Sequence, residues 1–261
     1  MSAPMDAPRI DAPNAPGWLT ARPIAHRGLH DRAAGLPENT LGAAEAAIAR
    51  GYAIECDVQL SADGEAMVFH DEGLGRLTGE SGLVRERKAA DLQRLAVAGS
   101  PERVPTLPEF LGAIAGRTPL VIEVKSRHDG DLALARRTAA AVAGYAGPVA
   151  LKSFDPLIVA ALAALAPGLP RGIVAESRQD DPAYAALTSE ARHALAHLLH
   201  FAESRPDFLS WRVDDLPNAA THLARLLGRR PVMTWTVRTP DQVERARRHA
   251  DQMVFEGFRP D

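Results

Sequence analysis

The stretch Ile54-Glu55-Cys56-Asp57-Val58, followed by the turn Ser61-Ala62-Asp63-Gly64-Glu65 and then Phe69-His70-Asp71, decides how the chain is read. Tyr52 to Leu60 has the composition of a strand, and strand side chains alternate between faces, so Glu55 and Asp57 point the same way. Two carboxylates aimed together into an apolar body repel each other and lose water. They need a cation between them, or protons, to be tolerated. A five-residue turn cannot carry a parallel crossover, which takes a dozen residues or more. Residues 61–65 therefore predict an antiparallel hairpin that returns His70 beside the two carboxylates.

Working outward, a beat of strand and helix appears on both sides. Strands are expected to start near residues 23, 52, 120, 149, 171, 208, 232 and 252. Helices are expected over 41–50, 107–115, 131–143, 156–166, 182–201, 218–227 and 240–250. Eight strands alternating with helices in 261 residues predict an α/β protein, a closed (β/α)8 TIM barrel. The β-hairpin and a small insertion over residues 72–105 follow strand 2. That insertion is rich in Gly, contains a charged helix over 85–95, and would form a lid or side wall at the barrel mouth. Residues 1–21 read as a loose N-terminal extension with Trp18 anchoring its end, and 22–261 as the barrel domain. The extension lacks the basic start and apolar stretch of a secretory signal.

Composition excludes several classes. Thirty Lys and Arg against 33 Asp and Glu, with a net charge of −3, give no electrostatic case for nucleic acid or an anionic membrane. No apolar run reaches the roughly 18 residues of a transmembrane helix. The single cysteine, Cys56, fits a reducing compartment, and a cytoplasmic location is expected. Cys56 should face away from Glu55 and Asp57 as inert packing. No strand is followed by a dinucleotide fingerprint or a P-loop.

In a TIM barrel, functional side chains sit at the C-terminal ends of strands. Those ends offer His26 and Arg27, then Glu55 and Asp57, then Glu123 and Lys125, then Lys152 and Ser153. Three carboxylates are hard oxygen ligands that suit Mg²⁺ or Ca²⁺ better than zinc. His26 and His70 are then free to transfer protons, since imidazole titrates near neutral pH. Arg27 and Lys125 can hold an anion. A metal site, two cations and two proton-transfer groups together make a device for breaking a phosphate ester. The plainer alternative is a buried ion network in which Arg27 and Lys125 neutralise the carboxylates. Lys152 reads as either a phosphate contact or a solvated charge. Glu38 and Asn39 read as loop and cap residues, Trp211 and Trp235 as packing, and His30, His128 and His193 as surface residues.

The strings His26-Arg27-Gly28, Pro37-Glu38-Asn39-Thr40, Glu55-Cys56-Asp57-Val58, His70-Asp71 and Ile122-Glu123-Val124-Lys125 resemble the signature of the glycerophosphodiester phosphodiesterases. Ser153-Phe154 and Trp235-Thr236-Val237 are similar to that family's later strands. The resemblance implies a metal-dependent barrel enzyme that hydrolyses glycerophosphodiesters to sn-glycerol 3-phosphate and an alcohol. It implies His26 and His70 as acid and base, Glu55, Asp57 and Glu123 as ligands to Mg²⁺ or Ca²⁺, and Arg27 and Lys125 at the phosphate. In that family the glycerol 2-hydroxyl is thought to attack first, giving a cyclic phosphate that water opens. A lysophospholipase D-like activity and an inactive phosphodiester-binding barrel are the alternatives. The chain departs from the family pattern at Arg238, where Asn commonly follows Trp-Thr-Val, and at Phe255-Glu256, where Thr-Asp is common.

Overall fold

The computed structural model describes residues 12–178 and 184–260. Within them the strands are β1 (Ile24–Ala25), β2 (Ala53–Leu60), β3 (Ala66–Val68), β4 (Leu120–Val124), β5 (Val149–Ser153), β6 (Arg171–Ala175), β7 (Phe208–Arg212), β8 (Val232–Val237) and β9 (Gln252–Phe255). All but β3 run parallel, in the order β1-β9-β8-β7-β6-β5-β4-β2, and β1 also pairs with β2. Ile24 lies opposite both Ala53 and Val254, which closes the sheet into a barrel. The expected (β/α)8 architecture is therefore the observed one.

The helices are α1 (Leu41–Ala49), α2 (Gly75–Thr78), α3 (Ala89–Leu92), α4 (Leu107–Ile114), α5 (Ala133–Val142), α6 (Pro156–Leu165), α7 (Ser189–Ala196), α8 (Phe201–Ser204), α9 (Ala219–Leu226) and α10 (Pro240–His249). Thr40, Thr106 and Thr239 each cap a helix by accepting a backbone N–H three residues on. Residues expected to form one helix over 182–201 give α7 and α8, broken by Leu198 in the left-handed region; residues 182–183 lie outside the described set. The charged helix expected over 85–95 is only a 3-10 turn at Val84–Glu86 and the single turn α3. Charge alone buries no face, and the segment is held instead by its apolar residues.

Two apolar layers sandwich the strands. Ile24, Ala53, Val121, Ala150, Phe208, Met233 and Val254 fill the lower barrel, and Leu19 with the partly buried Trp18 packs against them from the 3-10 turn Gly17–Leu19. Gly172 on β6 makes room for the Phe208 ring, which would lie 2.3 Å from a Cβ there. Outside the strands, Cys56, Val58, Ile122, Val124 and Leu151 pack with residues of α1, α4, α5 and α6. Cys56 thus faces away from the barrel interior, as expected, and burial pushes its thiol well up.

The hairpin forms as expected: Val58 pairs with Val68 and Leu60 with Ala66, antiparallel. The Phe69 N–H donates to the Asp57 carbonyl, which sets His70 beside the end of β2. The insertion after it has its own core of Met67, Phe69, Leu74, Leu77, Val84, Leu92, Val97 and Val104. That core makes it a packed unit rather than an unpacked loop.

Candidate active site

Strand register builds the centre of the site. Asp57 on β2 lies opposite Glu123 on β4, and Glu123 lies opposite Lys152 on β5. In-register residues of a parallel sheet point to the same face, so these three side chains form one row inside the barrel. Glu55, two residues before Asp57, joins them. Oxygens of Glu55, Asp57 and Glu123 lie within 4.8 Å of one another, and all three residues are buried.

Three cations answer these three carboxylates, Lys152 buried and Arg27 and Lys125 partly buried. Lys125 Nζ stands 2.8 Å from Asp57 Oδ1 and 2.5 Å from Glu123 Oε1. Lys152 Nζ stands 3.0 Å from Glu55 Oε1 and 3.2 Å from Glu123 Oε2. Arg27 Nε lies 3.3 Å from Asp57 Oδ2, and the Arg27 backbone N–H donates to Glu55 Oε2. Burial alone would raise the carboxyl pKa values. Lys125, His70, Arg27 and His26 outweigh this at Asp57 and hold it well below the ordinary range. Lys125 and Lys152 do the same at Glu123, bringing it to about 2. Burial would lower the Lys152 ammonium, but Glu55 and Glu123 raise it instead. Lys152 is thus not a solvated charge: it is 2% exposed and locked between two carboxylates. The buried ion network weighed from the sequence exists, with Lys152 as a member that reading missed.

The same cluster fits a divalent metal. Oxygens within 4.8 Å of each other can share one ion at the roughly 2.0–2.6 Å of Mg²⁺ or Ca²⁺ ligation. Glu55 Oε1 is buried, and its neighbour is the Lys152 nitrogen at 3.0 Å, which engages at most one of its two lone pairs. A buried carboxylate oxygen with an open lone pair is a ready ligand.

His26 follows β1 and His70 follows β3, and each turns its Nδ1 to a carboxylate. His26 Nδ1 is 2.5 Å from Glu256 Oε2, and His70 Nδ1 is 2.6 Å from Asp71 Oδ1. A carboxylate on Nδ1 favours the proton there and leaves Nε2 for chemistry. His26 Nε2 lies 3.9 Å from Glu55 Oε2. Glu256 is one of the two departures from the family pattern. Its own partners are His26 and Arg238, the other departure, whose Nε is 2.6 Å from Glu256 Oε1. Burial would raise the Glu256 carboxyl, but His26, His30 and Arg238 bring it far down. No periodicity could have revealed this pairing, since 230 residues separate Glu256 from His26.

The loop after β1 is shaped by its own sequence. Gly28 has φ +80°, and a Cβ there would meet the Ala43 backbone at 2.8 Å. Asn39, also at positive φ, donates to Asp57 Oδ2 and accepts the Asp57 N–H. It is a strut under the carboxylate cluster, while the cap of α1 is Thr40 rather than Asn39. Glu38 binds Arg27 Nη1 at 2.5 Å.

The site opens into a cavity of about 970 Å³ lined by His26, Arg27, Asp57, His70, Glu123 and Lys125 on one side and by Phe154, Arg212 and Trp235 on the other. Trp235 packs edge-on against Phe154 at 5.5 Å, so it is a wall of the cavity, whereas Trp211 is buried packing. His128 also lines the cavity and His30 stands 3.6 Å from Glu256; neither is the surface residue expected.

Comparison with known proteins agrees with this geometry. The profile of the Glycerophosphoryl diester phosphodiesterase family matches residues 26–255. A glycerophosphodiester phosphodiesterase of Caldanaerobacter subterraneus subsp. tengcongensis is 32% identical over 179 residues, covering 64% of this chain and 72% of that protein. One from Bacillus altitudinis is 35% identical over 112 residues, 40% of this chain. The chain spans 44% of the length of that relative. Among solved structures, an Oleispira antarctica phosphodiesterase in complex with the product sn-glycerol-3-phosphate superposes with a TM-score of 0.73 at 24% identity, covering 91% of this chain and 93% of that one. The Thermotoga maritima glycerophosphodiester phosphodiesterase gives 0.67 at 24% identity, covering 89% and 92%. These two likenesses concern the fold. The profile runs from His26 on the first strand to Phe255 on the last, and on that ground the chain belongs to the glycerophosphoryl diester phosphodiesterase family.

Proposed function

We propose that this chain hydrolyses glycerophosphodiesters to sn-glycerol 3-phosphate and an alcohol, with His26 and His70 as the proton-transfer pair. The observation that carries the reading is the pair of carboxylate-backed histidines, His26 on Glu256 and His70 on Asp71, beside a buried three-carboxylate cluster. Arg27 and Lys125 line the cavity next to that cluster and would hold the phosphodiester oxygens. One imidazole Nε2 takes the proton of the attacking hydroxyl as the new P–O bond forms. The other gives a proton to the leaving alcohol oxygen as the old P–O bond breaks. The Nδ1 carboxylates orient each ring: the base presents a bare Nε2, and the acid is the doubly protonated ring, which gives up its Nε2 proton. Glu55, Asp57 and Glu123 would hold Mg²⁺ or Ca²⁺, which when bound supplies Lewis-acid stabilisation of charge on the phosphoryl oxygens. The Oleispira antarctica phosphodiesterase, solved in complex with the product sn-glycerol-3-phosphate, supports a glycerol ester as the substrate class.

The test is a panel of glycerophosphodiesters and lysophospholipids assayed for sn-glycerol 3-phosphate release, after chelation and after return of Mg²⁺ or Ca²⁺. The reading expects activity on the glycerophosphodiesters that chelator abolishes and one of the two ions restores. Full activity in excess chelator removes Glu55, Asp57 and Glu123 from metal binding. Activity confined to lysophospholipids moves the assignment to a lysophospholipase D-like enzyme.

A further inference from the structure

A chain of alternating charges joins the two halves of the site from outside. Arg27 binds Glu38, Glu38 binds Arg76, Arg76 binds Asp71, and Asp71 binds His70. Arg76 is the centre. One edge of its guanidinium, Nε and Nη2, donates to Asp71 Oδ2 and Oδ1 at 2.6 and 2.9 Å. The other edge, Nη1 and Nη2, donates to Glu38 Oε2 and Oε1, both at 2.8 Å. A planar fork with donors on two edges grips each carboxylate through both of its oxygens, a bidentate hold on two partners that an ammonium does not reproduce. Arg76 sits on α2, where its neighbour Leu77 is buried in the insertion's own core. Its backbone is therefore fixed by packing that is independent of the barrel.

We propose that Arg76 is a positioning residue that couples the insertion to catalysis, setting Arg27 through Glu38 and His70 through Asp71. This rests on the functional reading of Arg27 and His70 given above. Glu38 and Arg27 belong to the loop after β1, and Asp71 and His70 to the end of the hairpin. Arg76 holds the distance between them, and with it the span across which a phosphodiester is gripped and protonated. A misplacement of about 1 Å at such a span costs on the order of a hundredfold in rate. A residue that merely pinned the insertion to the barrel would show itself in stability alone.

The experiment compares wild type, Arg76→Ala, Arg76→Lys, Asp71→Asn and the Arg76→Ala/Asp71→Asn double variant on glycerophosphocholine. It is run with and without added guanidinium at concentrations that do not denature, and each variant is also titrated with inorganic phosphate. Arg76→Ala is expected to lose about 30-fold or more in kcat and to bind phosphate at least several-fold more weakly, with the double variant little worse than either single one. Because Arg76 is 46% exposed, guanidinium can reach the vacated place, and it should restore kcat to Arg76→Ala but not to Asp71→Asn. Arg76→Lys, keeping charge without the fork, should fall between. Wild-type kcat and phosphate affinity in folded Arg76→Ala overturn the proposal. If Arg76→Ala does not fold, wild-type kinetics in Arg76→Lys overturn it. If wild type itself turns over no glycerophosphodiester, the functional reading fails, and the phosphate titration of Arg76→Ala or Arg76→Lys then decides the clamp alone.

Discussion

Lys152 and Glu256 are the residues at which the physical chemistry of the site is most exposed to test. Lys152 is buried between Glu55 and Glu123. Removing one partner of a buried ion network leaves charge uncompensated, which typically costs about 3–5 kcal/mol. Lys152→Met should therefore lower the midpoint of thermal unfolding by many degrees, and Mg²⁺ or Ca²⁺ should recover part of the loss by replacing the missing charge. An unchanged midpoint would mean that Lys152 does not balance those carboxylates. Glu256 acts one step further out. Glu256→Gln keeps the shape but loses the charge that favours the proton on His26 Nδ1, and kcat should fall about 10- to 100-fold with little change in unfolding midpoint. At this scale the seven residues carrying the proposed chemistry were legible, because strand alternation and the short turn bring them together. Lys152, Glu256, Asn39 and Arg76 were not. Each earns its role from a partner on another element, and residue type alone does not distinguish a buried partner from a solvated charge.

Among elements, the loop after β1 and the insertion after β3 position the site. Gly28→Ala puts a methyl group against the Ala43 backbone at a left-handed φ. Overpacking and backbone strain together should cost about 1–3 kcal/mol or more, read as a lower urea midpoint, and kcat should fall with it because Arg27 is the next residue back. Equal stability of Gly28→Ala would show that α1 gives way freely. The link between the two elements is also sensitive to acid. Burial would raise the Glu38 carboxyl, but the hydrogen bonds of Arg76 and the charge of Arg27 bring it down to about 2 from 4.5. A folded pKa below the unfolded one contributes stability that is present above the unfolded value. That stability is lost as pH falls through the folded value, here between about 4.5 and about 2. The thermal midpoint of wild type should thus exceed that of Glu38→Gln at pH 5.5, and the gap should close towards pH 2. A gap independent of pH would contradict this. The hairpin was predictable from five residues of turn, whereas the charged 85–95 segment misled, since its order comes from Val84 and Leu92 in the insertion core and not from helix periodicity.

The whole molecule reduces to a barrel whose lower half is a packed apolar plug and whose upper half is a charged mouth. Closure of β1 on β9 brings Glu256, near the end of the chain, onto His26 near its beginning. Eight strands alternating with helices made the barrel readable before any contact was known. The far wall of the cavity, with Phe154, Arg212 and Trp235, was not readable, because alternation does not reveal which strand ends lean inward. Among the described residues no helix is long and apolar enough to cross a membrane. The central claim is that His26 and His70, flanking the carboxylate cluster, exchange protons with a glycerophosphodiester. The most direct test is the rate of sn-glycerol 3-phosphate release from glycerophosphocholine by folded His70→Ala beside wild type. The account predicts clear turnover by wild type and a loss of about 10²- to 10⁴-fold in the variant, the usual contribution of a general acid or base. A His70→Ala rate equal to wild type would contradict it.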